Sequence, residues 1–295
     1  MKASGSPPSL QAGFIGLGAM GEWMARHLAN RGFLTTVWNR TAQKSADLAR
    51  ELNLIQSASP SALAERVDVI CLCVSADSDV LDLVQAIRPT LRPGQIVIDF
   101  STVSRETALA AARLIRASGA DFLDTPVTGG VEGARHATLA IMAGGEAATL
   151  ERIQPLLEAV GSRLIHMGGV GMGQSAKAVN QVLCAGINQA VTEALAFGEH
   201  LGLDMDKLIE GISGGAAGNW FLDKRGATMT QGLFKPGFKL RLHHKDLGIC
   251  QSMARQLNIE LPLTDTTEQH YRALMAAGHG DEDISSLYRL KRPAA

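Results

Sequence analysis

The sequence predicts an α/β chain in two domains: an N-terminal doubly wound parallel sheet and an all-α C-terminal domain, joined by a long interdomain helix. Three observations predict it. Short apolar runs alternate with helix-period segments over the first half, the pattern of βαβ units. Strand signals fade after about Gly168, and helix-compatible sequence runs on to the end. The stretch from about Gly173 to Leu201 is longer than an ordinary globular helix. A chain of 295 residues is long enough for two ordinary domains. They are expected over residues 12–168 and 169–295, behind a disordered tail at residues 1–11.

Strands are expected at Ala12–Leu17, Thr35–Asn39, Val67–Val74, Gln95–Asp99, Asp121–Thr125 and Thr138–Ala143, each a short apolar run. Helices fill most of the intervals. The tail MKASGSPPSLQ lacks the apolar core of a signal peptide.

Composition excludes several classes of partner. The chain is 46% hydrophobic and 19% charged with a formal net charge of −1, which argues against a nucleic-acid or anionic-membrane surface. No apolar run approaches the roughly 18–20 residues a membrane span needs. The four cysteines (Cys71, Cys73, Cys184, Cys250) are too scattered for a disulfide framework and read as reduced core residues of a cytoplasmic protein. Cys71 and Cys73 share one face of a strand, but neither a second pair nor His243 and His244 complete a metal site, so no metal is expected.

The segment GFIGLGAMGEWMARHLANRG places Gly16, Gly18 and Gly21 in the spacing G-x-G-x-x-G, after a strand and at the start of a helix. In that setting the first glycine permits a tight turn, the second lets backbone approach a pyrophosphate, and the third permits close helix–strand packing. Leu17, Ala19 and Met20 complete the loop. An NAD site carries an acid about 20 residues further on for the ribose hydroxyls. Here no Asp or Glu occurs between Glu22 and Asp47, and the strand end reads Asn39, Arg40, Thr41. A guanidinium with two neutral hydrogen-bonding groups suits a 2′-phosphate, so NADP is expected in preference to NAD. The alternative is a surface arginine with no ligand.

The loops VSADSD and DFSTVS fall at the ligand-facing ends of the third and fourth expected strands. Val74, Ser75, Ser101 and Thr102 are candidate contacts at the nicotinamide end, Ser101 on the substrate side. Ser and Thr are also ordinary helix N-caps. After the fifth strand, DTPVTGGVEGA holds Thr128, Gly129 and Gly130, either an anion nest for a carboxylate or a plain glycine connection.

Lys177 stands in a long uncharged run: between Ala159 and Thr192 the only other charged side chain is Arg163. On a helix it shares a polar stripe with Gln174, Asn180 and Gln181. A desolvated lysine there suits proton transfer near neutral pH. Snorkelling to an interface is the other reading, and spacing leaves both open.

The motifs GFIGLGAMG, DTPVTGGVEGA, GMGQSAKAVNQ and FKPGFKLRLHHKDLG, in this order and spacing, resemble the β-hydroxyacid dehydrogenase family along nearly the whole chain. The family includes 3-hydroxyisobutyrate dehydrogenase and tartronate semialdehyde (2-hydroxy-3-oxopropionate) reductase, with 6-phosphogluconate dehydrogenase more distant. The resemblance implies a Rossmann-type N-terminal domain, a helical C-terminal domain and a site in the cleft between them. It implies Lys177 as the general acid/base and Asn180 as a holder of the reacting oxygen, with Thr128, Gly129 and Gly130 on the substrate carboxylate. Gln181 and Trp220 are implied on the substrate side, and Lys245 beside the cofactor. Thr128 replaces the serine of many relatives and keeps its hydroxyl.

The pocket segment GGAAGNWFLDKRG offers Asn219 and Trp220 as walls. It looks like the broader semialdehyde and hydroxyisobutyrate reductases, whereas FKPGFKLRLHHKDLG looks closer to tartronate semialdehyde reductases. The expected activity is an NADP-preferring oxidoreductase interconverting a small carboxylate-bearing semialdehyde or keto acid with its hydroxy acid, as a homodimer or homotetramer. Two rivals on the same scaffold, an imine reductase and a non-catalytic cofactor-binding protein, typically lack the lysine that this chain keeps.

Overall fold

The structure is a computed structural model that describes residues 10–292, so most of the expected tail, residues 1–9, lies outside the described residues. The chain divides into two units, up to Lys177 and from Ala178 onward. The first unit holds β1 (Ala12–Ile15), α1 (Gly21–Asn30), β2 (Leu34–Trp38), α2 (Ala42–Leu52), β3 (Ile55–Gln56), α3 (Pro60–Ala64), β4 (Val69–Leu72) and α4 (Asp77–Ile87). It continues through β5 (Ile96–Asp99), α5 (Arg105–Arg116), β6 (Asp121–Asp124), β7 (Val127–Thr128), α6 (Gly130–Arg135), β8 (Leu139–Gly144), α7 (Ala147–Leu157) and β9 (Gly161–Gly168). Helix α8 (Met172–His200) opens in this unit and runs on into the second, which then holds α9 (Met205–Ser213), α10 (Trp220–Thr230), α11 (Leu240–Leu257) and α12 (Pro262–Ala276).

The nine-stranded sheet has the order β3-β2-β1-β4-β5-β6-β8-β7, with β9 paired to β8. From β3 to β6 every pairing is parallel. The chain therefore switches direction of winding between β1 and β4, and the crevice above their carboxyl ends is where such a sheet receives a ligand. All six expected strands are present, within two residues of their expected bounds.

The expected parallel sheet is present from β3 to β6; beyond it β8 runs antiparallel to β6 and β7, and parallel only to β9. Three strands were not expected, the two-residue β3 and β7 and the eight-residue β9. In β9 only Gly161 is buried and Arg163 and His166 face outward. An edge strand of this kind carries no period-2 core signal.

The central strands are apolar throughout because both faces are covered. Phe14, Cys71, Ile98 and Leu123 face one layer with Met24 and Leu28 of α1, Leu48 of α2 and Ile153 of α7. Ile15, Ile70, Leu72, Val97 and Phe122 face the other with Leu63 of α3, Val84 of α4 and Ile115 of α5. Cys71 is buried in the strand, whereas Cys73 lies beyond its end, half-buried. All four cysteines are free. Burial raises the thiols of Cys71 and Cys73, the latter to about 12, so neither is a thiolate at neutral pH.

Helix α8 has 29 residues. In the second unit its buried side packs Ala185, Val191 and Leu195 into a core with Phe221, Leu240, Leu247, Tyr271 and Tyr288. Buried Asn188 donates to Tyr271 Oη and to the Ile284 carbonyl, both at 2.8 Å. Among the described residues no helix is long and apolar enough to cross a membrane, and no group of His, Cys, Asp or Glu could hold a metal ion.

Candidate active site

In the first unit the singled-out residues gather at the carboxyl ends of the strands. Gly16 leaves β1 with φ +100°, and a Cβ there would collide with the carbonyl oxygen of Cys73. A Cβ on Gly21, the first residue of α1, would collide with the Gly16 carbonyl oxygen. Gly18 differs, because a Cβ built on it meets nothing within 4 Å. Two glycines thus close the loop on itself, and the one between them leaves room outside it, beside the positive end of the α1 dipole.

Asn39, the first residue past β2, accepts the Leu17 N–H at 2.8 Å on Oδ1 and donates from Nδ2 to the Thr41 carbonyl at 3.0 Å. Arg40 is 83% exposed and pairs with Asp79, in the first turn of α4, at 2.9 Å. Thr41 precedes α2, and no acid stands in the first turn of that helix. The end of β2 is therefore lined by an amide, a guanidinium and a hydroxyl.

The loops after β4 and β5 are joined by hydrogen bonds. The Val74 N–H donates to Ser101 Oγ at 2.9 Å, and the Ser101 N–H donates to Asp99 Oδ1 at 2.9 Å. Ser101 is buried, Thr102 half-buried and Ser75 exposed. The cap of α5 is Ser104, which accepts the Thr107 N–H at 3.1 Å, so neither Ser101 nor Thr102 is held there as a helix cap. Asp99 is fully buried, and its Oδ2 has no hydrogen-bond partner. Burial, reinforced by the charges of Asp124 and Asp77, pushes its carboxyl up to about 7 despite the hydrogen bonds from Ser101.

Thr128 ends β7, and Gly129 and Gly130 follow with φ of +131° and +64°. Two successive left-handed positions suit glycine and no β-branched residue. Asp124, at the end of β6, is buried and accepts the N–H groups of Gly171 at 2.7 Å and Gln174 at 2.8 Å, capping α8. Burial pushes its carboxyl up to about 6, and these N–H groups hold it from rising further. The Gln174 side chain donates to the Ser101 carbonyl at 2.8 Å and accepts the Val103 N–H at 3.2 Å. Lys177 follows on the same helix, one turn further on, and is only 7% exposed.

In the second unit, Asn180 donates to Gln181 Oε1 at 2.8 Å, and Gln181 donates to Asp246 Oδ2 at 2.7 Å. Lys245 Nζ lies 2.9 Å from Asp246 Oδ1. Asn180, Gln181 and Lys245 thus form one polar chain through Asp246, with Gln181 buried inside it. His243 bridges the Gln181 carbonyl and Tyr271 Oη. Trp220 stands apart from this chain: it is 53% exposed, with the Arg225 guanidinium 5.4 Å from its ring. Asn219 caps α10 by accepting the Leu222 N–H at 2.9 Å.

Asp79, Asp99 and Asp124 escaped the sequence reading, and Gln174 entered it only as part of a stripe. The one signal in sequence for Asp124 is an acid at a strand end that opens a Gly-rich turn.

Comparisons with known proteins agree over nearly the whole described chain. Residues 11–169 match the NAD binding domain of 6-phosphogluconate dehydrogenase, and residues 171–291 match the NAD-binding domain of NADP-dependent 3-hydroxyisobutyrate dehydrogenase. The chain is 35% identical to 2-hydroxy-3-oxopropionate reductase of Escherichia coli K12 over 94% of its length and 96% of that protein. Among solved structures, 3-hydroxyisobutyrate dehydrogenase of Mycobacterium tuberculosis with L-serine shares 31% identity and a TM-score of 0.86, over 96% of this chain and 99% of that one. A structure of Psf3 with NADP+ and 2-OPP shares 25% identity and a TM-score of 0.86, over 95% and 99% of the two chains.

Proposed function

The chain belongs to the β-hydroxyacid dehydrogenase family, and we propose that it is an NADP-preferring reductase of a small semialdehyde or keto acid bearing a carboxylate. That it is an NAD(P)-dependent hydroxyacid dehydrogenase acting on a CH–OH group follows from the family. The preference, the substrate and the residue roles are the proposal. One observation carries it: Lys177 is buried on a helix whose preceding turn is hydrogen-bonded to the loop holding Ser101.

The residues fit a dinucleotide. Gly18 leaves room for a pyrophosphate, the N-terminus of α1 favours its charge, and Arg40, shared with Asp79, offers a 2′-phosphate a partner beside Thr41, with no acid in the first turn of α2. Bound NADPH supplies the hydride for the carbonyl carbon. Lys177 protonates the carbonyl oxygen, and the Asn180 amide holds that oxygen. Thr128, Gly129 and Gly130 receive the substrate carboxylate, Gln181 keeps Asn180 oriented, Trp220 shapes the pocket and Lys245 adds positive charge for the cofactor.

The E. coli relative named 2-hydroxy-3-oxopropionate reductase supports a semialdehyde substrate, for which reduction is the working direction. Exposed Val179, Leu183 and Phe197 on α8 suit burial in a homodimer or homotetramer. Free cysteines suit a reducing cytoplasm. The test is a panel of small semialdehydes and keto acids assayed with NADPH and NADH side by side. Turnover of tartronate semialdehyde or a close analogue, faster with NADPH at limiting cofactor, is expected; no turnover of any member would overturn the reading.

A further inference from the structure

The first turn of α8 is held from two directions. On one side, the Asp124 carboxylate takes the N–H groups of Gly171 and Gln174. The fit leaves no slack: a Cβ on Gly173 would collide with the Met142 carbonyl, and one on Gly144 would press on Asp124. On the other side, the Gln174 amide spans two backbone groups of the loop after β5, donating to the Ser101 carbonyl and accepting the Val103 N–H. Gln174 is 1% exposed, and every group in this clasp lies in the first unit together with Lys177. A helix cap alone would need only Asp124. The second attachment does something else: it ties the turn before Lys177 to the segment whose Ser101 also holds the loop after β4, through the Val74 N–H.

We propose that Gln174, backed by Asp124, is a positioning residue that sets where the Lys177 ammonium stands relative to the Ser101 loop, and so governs the proton-transfer step rather than the binding of either reactant. The proposal rests on the assignment of Lys177 as proton donor. Its physical ground is that α8 is a rigid rod beyond its cap: a change at Gln174 is carried one turn on to Lys177, where misplacement of about 1 Å costs up to about a hundredfold in rate.

The test compares Gln174→Met, which keeps the volume and removes both side-chain bonds, with Lys177→Ala, in the full-length protein. Gln174→Met is expected to lower kcat by about tenfold or more, with substrate KM and NADPH Kd within about twofold of the parent. Its solvent isotope effect on kcat should rise, because proton transfer becomes slower than hydride delivery, a change that general loosening of the fold would not cause. If kcat and the isotope effect stay at parental values while Lys177→Ala abolishes turnover, positioning by Gln174 is overturned and the role of Lys177 stands. If Lys177→Ala keeps near-normal turnover, the proton-donor reading falls and the clasp proposal with it. If Gln174→Met instead weakens NADPH binding as much as it lowers kcat, the bond is scaffolding and the proposal is wrong. Should that variant not fold, Gln174→Glu, which keeps an acceptor for Val103 and loses the donor to Ser101, is read by the same three measurements.

Discussion

The side-chain oxygen of Asn39 accepts the backbone N–H of Leu17 at 2.8 Å, tying the end of β2 to the turn after β1 across 22 residues of chain. The residue proposed to stand at the ribose thereby also shapes the glycine turn proposed for the pyrophosphate. Asn39→Asp keeps the acceptor for the Leu17 N–H, loses the donation to the Thr41 carbonyl and adds a negative charge, so the Leu17 turn should hold its shape. NADPH affinity should fall by about tenfold or more while NADH affinity holds or improves, since an unscreened like charge costs a 2′-phosphate about 1–3 kcal/mol. Fluorescence titration with both cofactors checks it, and equal losses for the two would contradict it.

Arg40 is shared between Asp79 and solvent. Replacing Arg40 with Ala should weaken NADPH by about ten- to a hundredfold and NADH by less than about threefold. Asp79→Asn should act in the opposite sense and tighten NADPH a few-fold, by removing a competitor for the guanidinium. Neither change should shift thermal stability much, because an exposed pair is worth about 0–1 kcal/mol. An unchanged cofactor ratio in both variants would remove Arg40 from the 2′-phosphate.

The glycines of the phosphate loop should separate stability from binding. Gly21→Ala drives a methyl into the Gly16 carbonyl oxygen and should cost about 2–4 kcal/mol of stability. Gly18→Ala meets no protein atom within 4 Å, so its stability should stay within about 0.5 kcal/mol. Dinucleotide affinity should nevertheless drop about tenfold or more, because the methyl occupies space the backbone must leave to a pyrophosphate. Unfolding midpoints and NADPH titration on the pair decide it; tight NADPH binding by Gly18→Ala would move the cofactor elsewhere.

Asp99 makes stability depend on pH. Its folded carboxyl sits at about 7, above the ordinary 3.8, so between those limits the folded chain keeps a proton that the unfolded chain has released. Stability from this group is therefore full at acid pH and declines as pH rises towards and through 7, by at most about 4 kcal/mol. Asp124, at about 6, acts in the same direction. Asp99→Asn should flatten the fall in unfolding midpoint between pH 5 and pH 8; an undiminished slope would show that Asp99 ionises normally.

Much of the fold could be read from local pattern. Ile70 to Leu72 and Ile96 to Ile98 lie in strands covered on both faces, and such strands spell themselves as unbroken apolar runs. Strand β9 could not be read, because an edge strand with one buried residue has no pattern to show. Lys177 was visible as a charge out of place. Asp124 was not: an acid at a strand end looks the same whether it meets water or caps a helix 47 residues further on. Nor could the stripe show that the Gln181 amide nitrogen is engaged by Asp246, 65 residues away.

Element order, turn chemistry at Gly16 and Gly129, the missing acid after β2 and the polar stripe on α8 all belong to the chain as written, since they depend on neighbours within one or two helical turns. Which carboxylates lose their water, how Gly16 is closed against Cys73 and which backbone groups Gln174 grips depend on contacts between residues far apart in sequence, up to 73 positions for Gln174 and Ser101. Those contacts exist once the sheet and helices have packed, because desolvation and steric fit are properties of the assembled surfaces and not of any segment.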